Sequence, residues 1–403
     1  MRVLMAERSD IYCDARVQKE AWSLANDGYD VSVLGLRSTW RPRNLDINYR
    51  LLTFPLVSRR FRLIRNVHLA LLIALINMLI IFRRADFYHA HNTMFLFGMW
   101  ISARLHRGIL IYDSHEVQWE LDRVSEELER KLIRKAAAII NVSQGRAEAQ
   151  SERHNYPPER ITVVANYPPL PKNSIESTQM VPDKIRFIYS GGFNLTDNRL
   201  DNFVEALVDF PQMEFSLMSF GYGDSFERLS EKIRVLKLEA SVGFLPLVNP
   251  DQVLGVIAKY DFAVNLLTNP NDWVSYKYPA INKIYEYLAA GLPILCSTLP
   301  AFEQELVATG VGVAVDASNV SSIKNGLRHI LDNRDSIPAM KAKARQLAEE
   351  KYNWQSQERK LLNLYQQLGR ERRLAPASSA TMPFSNQLIA EPPISRKEQA
   401  DRS

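Results

Sequence analysis

The sequence predicts an α/β protein built from two tandem doubly wound parallel-sheet units, and three features support this. Short β-rich runs alternate with helical stretches through the first part of the chain. The alternation breaks over the proline-rich and polar stretch from Tyr167 to Asp183, then restarts beyond it. Such alternation implies βαβ crossovers and sheets covered on both faces. A length of 403 residues also suits two ordinary domains better than one.

Arg2 to Glu7 reads as the first strand, Ala15 to Asn26 as a helix, and Asp30 to Leu36 as a strand after the turn at Asp27-Gly28. Ile47 to Phe54 is the next strand, followed by a long apolar helix. Strands at Ala85–His91 and Ile109–His115 flank a helix over Phe95–Leu105, and Ala137–Val142 and Ile161–Ala165 complete the first series. The second series has strands at Ile185–Ser190, Met213–Ser219, Val242–Leu247, Phe262–Leu267, Pro293–Ser297 and Val311–Val315. Helices over Arg199–Val208, Asp224–Leu236, Pro250–Lys259 and Ile281–Ala290 lie between them. Ala339 to Leu368 is helical by pattern, jointed at Tyr352-Asn353-Trp354. The expected partition is a first domain over 1–168, a linker over 169–184, a second domain over 185–352, and a helix over 353–373 crossing back to the first domain. A disordered tail over 374–403 follows, with too few apolar groups to offset the entropy of ordering.

The apolar and charged fractions, 46% and 24%, are those of a globular protein. Cys13 and Cys296 lie far apart with no ligand cluster around them, which argues against a disulfide scaffold or a cysteine metal site. The chain opens on the strand-like Arg2-Val3-Leu4-Met5 with no leader pattern, so a cytoplasmic location is expected. Positive charge is concentrated in Arg37, Arg41, Arg43, Arg50, Arg59, Arg60, Arg62, Arg65, Arg83 and Arg84, with Asp46 the only acid among them. The block brackets the apolar run Val67–Phe82, which is shorter than the ~20 residues a membrane span requires. Two readings stay open for this run. It forms a helix buried against the sheet, or one lying in the interface of the inner membrane face, anchored through residues 59–84. No aromatic-interleaved basic surface accompanies the arginines, so nucleic acid is not an expected partner.

Ligands of open α/β sheets bind outside the carboxyl ends of the strands. Gly191-Gly192 ends one such strand, and paired glycines either let backbone amides approach a diphosphate or simply make a tight turn. Arg199 starts the following helix and could reach the same phosphates. Neither unit carries a full G-x-G-x-x-G pattern, which weighs against a dinucleotide cofactor. Lys283 and Glu286 share one helix face. They form either a surface ion pair or, on so apolar a helix, a carboxylate that needs donors such as ribose hydroxyls. His89 and His91 alternate along a strand and point the same way, without an evident third metal ligand. His91, at the strand end, is the cleft candidate and His89 a core histidine. Asp113 and Ser114 suit turn or capping roles.

The run Asn-Lys-x-x-Glu-Tyr-Leu-Ala-Ala-Gly-x-Pro from Asn282 to Pro293 resembles the donor-site signature of retaining, GT-B-fold glycosyltransferases of family 4. Similar in kind are Asp14-Ala15-Arg16-Val17, His89-Ala90-His91-Asn92, Tyr112-Asp113-Ser114-His115-Glu116, the glycine pair with Arg199, and Tyr352-Asn353-Trp354. The resemblance implies two Rossmann-like domains facing a central cleft. It implies transfer of a hexosyl group from a nucleotide sugar to a polysaccharide, glycan or lipid-linked acceptor, with retained anomeric configuration. It further implies that Glu286 holds the donor ribose, that Arg199 and Lys283 neutralise the diphosphate with Gly191, Gly192 and Asn282 also in the donor site, and that His115 faces the transferred sugar. Arg16, His91 and Glu116 fall on the acceptor side. No cofactor is implied beyond the donor, and side-chain cations stand in for a metal. The sequence departs from the family at Tyr278, where many members carry a glutamate that contacts the donor sugar. A non-catalytic scaffold in a membrane-associated glycan assembly, or a nucleotide-sugar epimerase, are the competing functions.

Overall fold

A computed structural model describes residues 1–12, 14–37, 47–55, 62–171, 181, 183–219, 221–249, 252–269 and 271–374. Arg41, Arg43, Arg59, Arg60, Cys13 and the expected tail from residue 375 lie outside them. Met1–Leu364 form one compact unit, which holds both sheets, and Tyr365–Ser403 form a second.

The first sheet has seven strands: β1 (Arg2–Asp10), β2 (Asp30–Arg37), β3 (Arg50–Pro55), β4 (Phe87–Ala90), β5 (Ile109–Ser114), β6 (Ala138–Asn141) and β7 (Ile161–Val163). Their spatial order is β3-β2-β1-β4-β5-β6-β7. The second has six: β8 (Ile185–Ser190), β9 (Met213–Met218), β10 (Val242–Phe244), β11 (Phe262–Asn265), β12 (Ile294–Ser297) and β13 (Gly312–Val315), in the order β10-β9-β8-β11-β12-β13. Every pairing is parallel. The central strands are buried along their whole length, as in Ile109–Ser114 and Ile294–Ser297, because helices cover both faces. Strand order reverses between β1 and β4, and again between β8 and β11. A reversal sends neighbouring crossovers to opposite faces and opens a crevice at the carboxyl ends of the strands. Both crevices carry the chemistry described below.

The helix Arg62–Ile81 presents two faces. Leu72, Ile76 and Ile80 recur every fourth residue and are buried in the first-half core. On the other side Val67, Leu71, Leu75, Met78 and Phe82 are exposed, Leu71 by 65% and Phe82 by 78%. The amide at Asn77 has a packing reason. Asn77 donates to Ile73 O (2.9 Å) and Met94 O (3.0 Å) and accepts from Gly98 N (3.0 Å), tying this helix to Thr93–His106. A Cβ at Gly98 would lie 2.3 Å from the Asn77 amide oxygen, so only glycine allows this approach. Among the described residues, no helix is long and apolar enough to cross a membrane.

The C-terminal segment runs as two helices, Ile337–Glu350 and Trp354–Leu374. Trp354 begins the second by donating from its indole to Ser23 Oγ (3.0 Å) and from its backbone to Pro168 O (2.8 Å). Gln357 accepts from Ala165 N (3.0 Å), and Lys19 Nζ sits 4.7 Å over the Trp354 ring. The start of the last helix is thus fastened to the first half.

Candidate active site

On the second half, the helix Asn282–Ala289 buries Ile284, Tyr285, Tyr287 and Leu288 and turns Lys283 and Glu286 outward. Gly291, at φ +74°, closes it in the left-handed conformation and feeds β12. The Tyr287 hydroxyl accepts from Ser190 N (2.8 Å), so this helix fixes the end of β8 and the glycine turn beyond it. Gly191 adopts φ +103°, a conformation glycine alone takes readily. Lys283 reaches over that turn, donating to the Tyr189 hydroxyl (2.5 Å) with its ammonium 4.2 Å from the Tyr189 ring centroid. Burial lowers the Lys283 pKa to about 8, against the pull of Glu286. Burial raises that of Glu286, opposed by Lys283 and by Lys19 from the first half. Glu286 is therefore half-buried between cations from both halves rather than an open surface carboxylate.

Three donor-side residues are placed less simply. Arg199 grips Asp201 (3.1 and 3.2 Å) and Asn202 (3.1 Å), so its guanidinium is engaged locally. Asn282 is exposed at the helix start. The Gly191 amide donates to Met218 O (3.0 Å), which leaves it occupied within the sheet.

The first half carries a buried ionic array centred on Asp113. Asp113 Oδ2 accepts from Arg16 Nε (3.0 Å) and lies 3.1 Å from His115 Nε2 and 3.2 Å from His91 Nδ1, while Oδ1 accepts from Arg16 NH2 (2.9 Å). Arg16 also bonds Val164 O (2.7 Å) and pairs with Glu20 (3.1 Å). Arg16 is 3% exposed, so it braces the first half and presents no cation to an acceptor. His91 is 1% exposed and stacks on His89 with centroids 4.1 Å apart, so it stands behind the cleft wall and orients His115. Asp113 is likewise no turn-capping residue but the hub of the array.

Burial disfavours a charged His115, but the charge and hydrogen bond of Asp113 outweigh it and lift the pKa to about 9. Burial also raises Asp113, yet Arg16 and His115 bring it well below the usual carboxylate range. His89 and His91 are lowered by burial and are neutral. Burial raises Glu20 to about 8 and Glu7 to about 7. Glu20, His89, His91 and Asp113 bring ligand-type atoms within 4.8 Å of one another, as do Glu7, Asp14 and His115. The sequence pattern missed the carboxylates of the first group because they come from a different helix and strand. Arg16 already holds both of them, which fits a guanidinium-balanced cluster better than an ion site.

Residues 16–167 match the family described as Glycosyltransferase Family 4, and residues 172–354 match Glycosyl transferases group 1. The chain belongs to the family 4 glycosyltransferases of GT-B fold. No curated protein matches it in sequence. Among solved structures it is similar to sucrose-phosphate synthase from Thermosynechococcus elongatus, with TM-score 0.73, 15% identity, and coverage of 92% of this chain and 99% of that one. It is also similar to Anabaena HepE in complex with UDP-glucose (0.66, 16%, 91% and 100%). A third is WaaG, a glycosyltransferase involved in lipopolysaccharide biosynthesis (0.61, 15%, 90% and 98%).

In this glycosyltransferase the departure at Tyr278 has a structural use. Its ring fills the space beside Gly145, where a Cβ would come within 2.3 Å of it. Arg146, which the sequence patterns did not single out, donates to Tyr278 O (3.0 Å), His115 O (3.2 Å) and Ser275 O (3.1 Å). Glu120, also unforeseen, accepts from Val274 N (2.5 Å) and Ser275 N (3.1 Å) at the start of the short helix Val274–Lys277. The only sequence clue to either residue is a charge beside an otherwise ordinary strand-to-helix turn. Between the two sheets remains a cavity of about 410 Å³ whose lining includes Glu116, Arg146, Asp197, Trp273 and Tyr276. Glu116 lies at its edge with its side chain 59% exposed, 3.8 Å from Arg146.

Proposed function

We propose that this glycosyltransferase moves a hexosyl group from a nucleoside-diphosphate sugar to a glycan or lipid-linked acceptor, with retention of configuration and without a metal ion or cofactor. The observation that carries the reading is the half-buried Glu286, on the helix face of Lys283, whose side chain lies over the glycine turn, and within electrostatic reach of Lys19 from the first half. A carboxylate so placed suits two vicinal hydroxyls, each able to donate a hydrogen bond to it. Lys283, beside Gly191 and the Gly192 carbonyl, supplies the fixed cation for the diphosphate, whose charge grows as the glycosidic bond breaks. His115 faces the sugar from the other half, and Glu116 borders the inter-sheet cavity on the acceptor side. HepE has been solved with UDP-glucose, which supports a uridine donor as the first candidate.

The peripheral membrane reading belongs here as well. It rests on the exposed stripe Val67, Leu71, Leu75, Met78 and Phe82, followed by the exposed Arg83 and Arg84. Attachment on the inner, cytoplasmic face would bring the enzyme to a lipid-linked acceptor.

Calorimetric titration with UDP, GDP and ADP, followed by their sugar conjugates, tests the donor assignment. One nucleoside diphosphate should bind, and Glu286→Ala should weaken it. A chain that binds none of them, or a variant that binds as tightly as the native protein, overturns the reading. NMR of the product anomer tests retention.

A further inference from the structure

A cavity of about 280 Å³ opens at the amino ends of the first sheet's strands, away from the carboxyl-end crevice. Arg2 of β1, Arg50 of β3, and Arg83 and Arg84 just before β4 line it, together with Asp30 and Ser32 of β2. β1 runs nine residues from Arg2 to Asp10, so roughly 25 Å separates this cavity from the crevice. No residue assigned to the donor or the acceptor lies on it. Its charge is unbalanced. Arg50 pairs with Asp30 and donates to Ser32 Oγ (3.2 Å), and Asp86, beside the lining, accepts from the Arg2 amide (2.8 Å). Arg83 and Arg84 are exposed and have no carboxylate partner among the described residues. Four guanidinium groups thus stand against two carboxylates, which leaves a surplus of two positive charges. The corner carrying Arg83 and Arg84 is also held firmly. The Tyr88 hydroxyl donates to Arg83 O (2.8 Å) and accepts from Ala85 N (3.0 Å). Ser102 Oγ donates to Ile80 O (2.9 Å), and His106 Nε2 sits 3.1 Å from Ile81 O. These contacts occupy the last carbonyls of the helix Arg62–Ile81, whose negative end would otherwise repel an anion.

We propose that this cavity seats the phosphoryl headgroup of a membrane lipid, with its oxygens held by Arg2, Arg83 and Arg84. This rests on the peripheral membrane reading above and names the lipid chemistry that the surface selects. A surplus of two positive charges matches a dianionic phosphomonoester better than a singly charged phosphodiester. Planar guanidinium groups bind phosphate oxygens in pairs, which adds geometric selection to charge. At about 30 Å³ per water, the cavity has the room of roughly nine waters, enough for a phosphoryl group and the first atoms of its carrier. The occupant is a lipid because of what adjoins the arginines. Val67, Leu71, Leu75, Met78 and Phe82 recur every three or four residues as one exposed apolar stripe, and Arg83 follows Phe82 directly. A helix lying in the interface buries such a stripe and keeps its flanking arginines at headgroup depth.

The experiment is sedimentation of the full chain with phosphatidylcholine vesicles that carry either phosphatidic acid or phosphatidylglycerol, matched in surface potential. The native protein should bind the phosphatidic acid vesicles about tenfold more tightly. Arg83→Lys combined with Arg84→Lys keeps the charge but loses the paired donors. It should still bind both vesicles, with the preference reduced below about twofold. Its unfolding midpoint should stay native, since both side chains are exposed, and this separates the effect from a folding defect. Equal native affinity for the two matched vesicles, or an undiminished preference in the lysine variant, would overturn the headgroup seat while leaving membrane attachment intact. A chain that sediments with neither vesicle removes the membrane reading first, and the lipid occupant with it. Binding of glycerol 3-phosphate by that chain, lost in the lysine variant, would then assign the cavity to a soluble phosphate ester.

Discussion

The two halves reach the same cleft by opposite physical means. The first half buries charge: Arg16, Glu20, Asp113 and two neutral histidines stand behind His115, each oriented by another side chain. The second half buries apolar surface and places function with backbone, through a left-handed glycine turn, a helix ended by Gly291, and one Lys–Glu pair on its outer face. A buried charge array gives a fixed geometry but depends on every partner being present. A backbone-placed site tolerates loss of a side chain structurally and loses only ligand contacts. Substitutions in the first half should therefore cost stability, and those in the second should cost binding.

The most severe test is Asp113→Ala. It leaves Arg16 buried with only Glu20 and a carbonyl, and should destabilise the protein by about 3–5 kcal/mol in denaturant unfolding. A loss under ~1 kcal/mol would mean the array is not the keystone of the first half. Next comes Glu286→Ala, expected to weaken nucleotide binding by about 2–3 kcal/mol, since hydrogen bonds to a charged group are lost, while the unfolding midpoint stays close to native. A large stability loss there would erase the contrast between the halves. Arg146→Ala sharpens the comparison at the boundary. Removing donors to three carbonyls should lower stability by about 2 kcal/mol and weaken donor binding only secondarily.

A further effect, at most about 3 kcal/mol, is a pH signature of His115. Its folded pKa of about 9 lies above the ordinary histidine value of 6.5, so its stabilisation is fully present below pH 6.5 and disappears as pH rises through 9. The stability gap between native protein and His115→Gln should narrow across that window, and a constant gap would contradict the Asp113 pairing. Smallest is Leu71→Gln. It should move stability by less than ~0.5 kcal/mol yet reduce sedimentation with anionic vesicles.

The two series of strands and helices were legible from alternation alone, because fully buried parallel strands read as short apolar runs; the helix Ala15–Asn26 falls on its predicted bounds. Strand ends were less accurate: the run Val242–Leu247 pairs only over Val242–Phe244, opposite Phe215–Leu217. The glycine turn and the Lys283–Glu286 face were readable from local spacing. The array around Asp113 was not, because Arg16, Glu20, His89 and His115 meet only after three elements come together, and the local pattern of Asp113-Ser114 suggests a turn. Glu7 was hidden in the same way: nothing in Met-Ala-Glu-Arg-Ser separates a surface acid on a strand end from a buried one.

The cap that Glu120 places on Val274–Lys277 has a mechanical consequence. A helix of four residues has too few internal bonds to persist unaided, and here its first free amides are satisfied by Glu120 of the opposite half. Any hinge motion that drew the sheets apart would bare those amides, so widening the cleft and unwinding this short segment would be a single event. Hydrogen exchange at Val274 and Ser275 would then serve as a gauge of how often the enzyme gapes.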